Sequence, residues 1–142
     1  MYDSLDVSRY IINHENEKSR PISNLRLQKL LYFVQAQFLV SNKESCFRED
    51  IEAWQYGPVV PRVYHRYKLY GSSSIPEQTV NQKNVIAESD AGLIDAILDK
   101  CAKYSTSALI SLTHRDGPWK DSYEPGYDNV ISVKSIRKYF GG

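Results

Sequence analysis

Apolar positions recur along most of this chain at helical spacing. Val7, Tyr10, Ile11 and His14 share one face behind Asp3 and Ser4, either of which can cap a helix N-terminus. The charged run Glu15-Asn16-Glu17-Lys18 and then Pro21 end that helix. From about Asn24 to Ser41 the pattern strengthens. Leu27, Leu30, Leu31, Val34 and Phe38 form one stripe, while Leu25, Tyr32, Phe33, Ala36, Leu39 and Val40 crowd the opposite side. Only thin polar seams remain, one with Arg26 and Gln37, the other with Gln28 and Gln35. A helix that is apolar on two sides has neighbours on both, so this segment is predicted to be the central helix.

Between Phe47 and Tyr56 the period changes. Ile51, Ala53, Trp54 and Tyr56 suit a short strand, and Gly57-Pro58 punctuates it. Pro61 suits the first turn of the next helix, Pro61 to Tyr70, which Gly71 stops. Val60, Val63, Tyr64, Tyr67 and Tyr70 share one arc of that helix; Arg62, His65, Arg66, Lys68 and Leu69 share the other. Residues 71–89 carry serines, Pro76 and several amides, which predicts either a mobile loop or a short strand at 84–88. Asp90 is placed to cap a further helix with Leu93, Ile94, Ile97, Leu98, Cys101 and Tyr104 on one face. A shorter helix runs from Thr106 to Thr113, the stretch 114–129 reads as turns, and a last helix over 132–140 points Val133, Ile136 and Phe140 inward. The sum is a mainly α single domain over 1–142, with five to six helices and a small β element around residues 47–56 and 84–88.

Composition narrows the class. The 142 residues are 42% apolar and 25% charged, ordinary for a globular domain of that length. Lys plus Arg is 18 against 17 for Asp plus Glu, so whole-chain charge does not drive nucleic-acid binding. Two cysteines cannot build a disulfide framework, and no secretory leader or membrane span is legible. A reduced, cytoplasmic protein is expected, with no membrane partner.

Candidate chemistry is sparse. The glycines form no phosphate loop, and Cys46, Cys101, His14, His65 and His114 lack metal-ligand spacing. Ser111, His114 and Asp116 fall within one helical turn and its exit, where a helix C-terminus followed by a turn explains them better than a catalytic relay. No catalytic, cofactor or metal residue is therefore assigned; a small hydrolase using His65 or His114 is the less favoured alternative. The cations Arg62, His65, Arg66 and Lys68 suit phosphates or a solvated helix face, and the acidic Glu49, Asp50 and Glu52 lie close in sequence. Eleven tyrosines and two tryptophans, many within 54–70 and 104–127, fit either a packed core or a protein interface.

Three stretches carry a family resemblance: Asn24-Leu-Arg-Leu-Gln-Lys-Leu-Leu-Tyr-Phe-Val-Gln35, Ile51-Glu-Ala-Trp-Gln-Tyr-Gly-Pro-Val-Val-Pro-Arg-Val-Tyr64, and Leu109-Ile-Ser-Leu-Thr-His-Arg-Asp-Gly-Pro-Trp119. Together they resemble the Panacea domain, the SocA-like antitoxin family also called phage-associated proteins, over about residues 6–123. The resemblance implies a mostly helical antitoxin without cofactor, which neutralises a cognate protein toxin, encoded adjacently, by binding it. Protease adaptor, phage counter-defence inhibitor and nucleic-acid-binding regulator are alternatives, and a homodimer stays open. The partners implied for the family vary, so shared motif residues are assigned to the scaffold: Leu27, Leu30, Leu31, Tyr32, Trp54, Tyr56, Gly57, Pro58, Tyr64, Thr113, His114, Pro118 and Trp119. Partner binding is assigned to the remaining surface of the third helix, namely Arg62, His65, Arg66, Leu69 and Tyr70, with the 71–89 loop beside it.

Overall fold

A computed structural model describes residues 1–80 and 85–142. Helix α1 (Ser4–Glu17) begins at Asp3, whose carboxylate accepts the Leu5 N–H. Helix α2 (Asn24–Ser41) is capped by the Ser23 hydroxyl, which accepts from the Arg26 N–H. Strands β1 (Ile51–Trp54) and β2 (Gly57–Val59) form a hairpin, followed by α3 (Pro61–Tyr67) and a 3-10 turn over Lys68–Tyr70. Then come α4 (Glu88–Cys101), α5 (Thr106–His114), the short α6 (Pro118–Ser122), β3 (Val130–Ile131) and α7 (Val133–Gly141). The fold is mainly α with one small antiparallel sheet of order β2-β1-β3.

The central position of α2 follows from its sequence. It packs against α1, α3, α4, α5, α7 and β2, and it buries Leu27, Leu30, Leu31, Tyr32, Val34, Ala36, Phe38 and Leu39. The same coat forces polar side chains inward, where each needs an internal partner. Gln35 Oε1 accepts the Cys46 and Phe47 N–H groups (2.7 and 3.3 Å), and its Nε2 donates to the Phe47 carbonyl (3.1 Å). One side chain thereby closes the loop that leads into β1. A charge pair braces α1: the buried Glu15 receives a forked contact from Arg20 (2.8 and 3.1 Å), which also reaches Asp99 on α4 (2.9 Å).

The hairpin pairs Trp54 with Gly57 and Glu52 with Val59, while β3 pairs Ile131 with Ile51 on the other edge. The third strand thus comes from the end of the chain, not from 84–88. Of that expected strand, Asn84 lies outside the described residues, Val85 and Ile86 form a bend, and Glu88 already opens α4. Asp90 does not cap that helix. Ala87 is the N-cap residue without a side-chain bond, and the Asp90 carboxylate accepts the Tyr2 hydroxyl instead. Tyr104 lies past the end of α4 and is 47% exposed, because the helix stops at Cys101.

Two other expectations are corrected. The stretch 114–129 contains α6, begun by Pro118 at the first helical position behind Gly117. On α7 only Ile136 is buried; Val133 faces outward, and Phe140, though 37% exposed, meets Tyr32 and Phe33 edge-on. The long connection after α3 is anchored at Ile75, fully buried and bonded through its N–H to the Ile22 carbonyl (2.8 Å).

Candidate functional site

The three sequence stretches converge beneath the hairpin. Lys29, on α2, is fully buried, and its Nζ donates to the Pro58 carbonyl at 3.0 Å. Among the described residues no carboxylate pairs with it. Burial disfavours the ammonium form and pulls the pKa of Lys29 down to about 7. Gly57 makes room for this side chain: a Cβ there lies 2.8 Å from Lys29 Cε and 3.1 Å from Thr113 Oγ1.

Gln28, beside it, ties α2 to the start of α3. Its Oε1 accepts the Val60 N–H (2.9 Å), its Nε2 donates to Asn24 Oδ1 (2.9 Å), and Asn24 Nδ2 donates to the Tyr64 carbonyl (3.0 Å). The chain between hairpin and helix is therefore held from below by three consecutive polar links. That linkage fixes the direction in which α3 leaves the hairpin.

From α5 and α6 come the aromatics. His114 lies flat on Trp119 (ring centroids 3.9 Å apart, 15°), and Trp119 lies flat on Tyr123 (4.6 Å, 14°). The Trp119 indole N–H donates to the Trp54 carbonyl at 2.8 Å and so pins the end of β1. His114 Nε2 is buried without a hydrogen-bond partner among the described residues. Its pKa is held below the ordinary 6.5 by burial first and by the nearby Lys29 charge second.

Placement of the expected scaffold residues is uneven. Leu27, Leu30, Leu31, Tyr32, Gly57, Pro58, Thr113, Pro118 and Trp119 are buried; Trp54, Tyr64 and His114 are half-buried. Tyr56 is different: it sits at the hairpin turn with 61% of its surface exposed. Ser111, His114 and Asp116 do not form a relay, since Asp116 is 97% exposed and points to Lys120 at 3.4 Å.

Of the expected partner-binding residues, Arg62, His65 and Arg66 lie on α3, and Leu69 and Tyr70 on the 3-10 turn that ends it. Leu69 is 82% exposed, more than any other large apolar side chain among the described residues. Arg66 is exposed and sits 5.6 Å above the Tyr67 ring, while His65 lies against Trp54 and Tyr64. Arg62 is half-exposed but engaged, bonded to Asp3 (3.1 Å) and Glu49 (2.9 Å). Tyr70 packs partly inward, stacked on Tyr67 at 6.5 Å.

Residues 27–120 match the family described as antitoxin SocA-like, Panacea domain. The chain belongs to this family. It is also 30% identical over 129 residues to the antitoxin SocA of Caulobacter vibrioides (strain NA1000 / CB15N), an alignment covering 82% of this chain and 68% of that protein. No solved structure matches. The Panacea match contains Lys29, the Gly57-Pro58 corner, Thr113, His114 and Trp119, so the meeting point of the three stretches lies inside it. Helix α7 lies outside it.

Lys29 is the residue that sequence reasoning passed over. Its signal was a lysine within a helix apolar on both sides, where every face is occupied. Among the described residues, no three His, Cys, Asp or Glu side chains are grouped to share a metal ion, and no helix is long and apolar enough to cross a membrane.

Proposed function

We propose that this protein is a cytoplasmic antitoxin that neutralises a cognate protein toxin by binding it directly, without a catalytic step. Membership in the SocA-like family supports the role. The observation that carries the binding reading is the exposed surface of α3 and the 3-10 turn after it, where His65 and Arg66 on the helix precede Lys68 and the exposed Leu69 on the turn. Val60, Val63 and Tyr67 bury the opposite face, and the Gln28–Val60 bond fixes the entry of the helix. An apolar side chain that follows cations at the end of a preformed helix suits a protein surface bearing an apolar hollow with acidic edges. Occluding such a surface inhibits by desolvation and shape, with no bond made or broken.

A nucleic-acid partner is less favoured. Arg62, the cation nearest the hairpin, is already neutralised by Asp3 and Glu49, which interrupts a continuous phosphate-binding stripe.

The experiment is co-expression with the product of the adjacent gene. Growth rescue and co-purification of the two proteins are expected, and Arg66→Glu with Leu69→Asp should abolish both while leaving thermal stability within about 0.5 kcal/mol of the parent, as befits exposed positions. Rescue without a complex would favour enzymatic reversal of toxin damage. Loss of binding under high salt together with promoter-DNA retention would favour the regulator.

A further inference from the structure

The fold leaves one aromatic of the Trp54-Gln-Tyr56-Gly-Pro stretch without an internal task. Tyr56 is exposed at the β1–β2 turn, and the two residues before it, Trp54 and Gln55, border an open groove of about 520 Å³. Trp54, Gln55, Tyr123, Tyr127 and Asp128 line this groove. Tyr127 is 63% exposed, Trp54 and Tyr123 half-exposed, so several aromatic faces border one hollow.

The groove is stiff. Tyr123 is stacked on Trp119, and Trp119 holds the Trp54 carbonyl. The Trp54 ring is wedged against Tyr64 (5.0 Å), and its indole N–H donates to Glu52 (3.0 Å). Across the groove the 124–127 turn is closed by the Tyr127 N–H on the Glu124 carbonyl (3.0 Å), and Asn129 Nδ2 donates to the Ser122 carbonyl (2.9 Å). Aromatics held this way lose little freedom when a partner arrives.

Its charge has one sign. Asp128 is on the wall, and Glu124 is exposed in the turn that forms the far side. Among the described residues no cation lines the groove, and Lys120, close by in sequence, turns to Asp116. Burying an apolar partner here would desolvate carboxylates without compensation, and an anionic partner would be repelled. A planar, weakly hydrated cation satisfies both features, because a guanidinium stacks on Tyr and Trp faces and forks onto a carboxylate.

We infer that the groove between Trp54, Tyr123, Tyr127 and Asp128 is a docking surface for an arginine-bearing segment of the protein partner. The inference rests on the antitoxin reading and adds a second contact to it. His65 touches Trp54, so the cationic side of α3 and this anionic, aromatic groove adjoin across one ring. Opposite charges on adjoining contacts fix the orientation of a partner as well as its affinity.

The test uses the full chain and the purified product of the adjacent gene, with affinity measured by calorimetry. Tyr127→Ala should weaken the complex at least about tenfold, and Asp128→Lys should weaken it where Asp128→Asn does so less. Tyr127→Phe should retain binding, since the ring face is preserved. In parallel, chemical shifts of the wild-type protein are followed against an acetyl-Gly-Arg-Gly-amide peptide and its citrulline counterpart. Saturable shifts at Trp54 and Tyr127 with the arginine peptide alone are expected. Unchanged affinity in the alanine and lysine variants overturns the inference while leaving the antitoxin reading standing. Absence of any complex with the parent protein sinks the antitoxin reading, and the peptide titration then decides the groove by itself: equal shifts with both peptides, or none, overturn it.

Discussion

Lys29 and Gly57 occupy one space. The Cβ that any other residue would carry at position 57 falls 2.8 Å from Lys29 Cε, and the glycine backbone at φ +113° is one that L side chains rarely adopt. The lysine therefore lies across the hairpin corner only because the corner lacks a side chain.

Gly57→Ala should destabilise the fold by about 2–4 kcal/mol, combining backbone strain with overpacking. Chemical denaturation measures it. Lys29→Ala in the same chain removes the steric part alone, so the double variant should be less destabilised than the sum of the two by about 1 kcal/mol. Strict additivity would mean that the two residues do not compete for the space.

The stability of the protein should rise with pH above neutrality. Lys29 has a folded pKa of about 7 against 10.5 for the free side chain, so between those values the unfolded chain binds the extra proton. The penalty for burying the ammonium is complete below about pH 7 and relaxes as pH climbs towards 10.5. His114, with a pKa lowered by burial and then by Lys29, adds a loss of stability as pH falls through 6.5. Urea melts across pH 6 to about 10 should show the rise, and Lys29→Met should flatten its alkaline part. A slope unchanged in that variant would assign the effect elsewhere.

Gln28→Leu should cost about 1–3 kcal/mol although it adds apolar surface to a core helix. It strands the buried Val60 N–H and removes the partner of Asn24 Oδ1. Because Val60 starts α3, hydrogen exchange at Val63 and Tyr64 should accelerate more than exchange in α4. Uniform acceleration would indicate global destabilisation only.

Cys46 and Cys101 should be inert in the native protein. Both thiols are buried and free, and burial pushes their pKa values up to about 12 and about 11. A thiol-reactive chromophore at pH 8 should label neither until denaturant is added, when both react. Rapid labelling of Cys101 in the folded state would show local opening at the end of α4.

Much of this architecture is legible in the chain itself. Hydrophobic spacing places α2 at Asn24–Ser41 and marks it as surrounded, because an apolar coat on two sides has no other stable solution. Gly57-Pro58 and Pro61 mark the corner into α3, since their backbone restrictions are local. Helical spacing over Pro61 to Tyr70 puts Leu69 on the polar arc, and it is exposed, although the helix ends at Tyr67 and Leu69 sits in the 3-10 turn that follows.

Other features depended on neighbours far along the chain. The periodicity surrounds α2 with neighbours without singling out Lys29; only the folded chain supplies the Pro58 carbonyl, twenty-nine positions on, that accepts its hydrogen bond. Asp90 has the composition of a cap, yet the Tyr2 hydroxyl claims its carboxylate. Val133 and Tyr56 look apolar enough to bury, but the first is half-exposed at the start of α7 and the second sits on a turn. Local pattern sets which elements form and which face is apolar, because those depend on backbone geometry a few residues wide. Which polar group finds a partner, and which aromatic is left to solvent, was settled by contacts that exist only once the helices have packed.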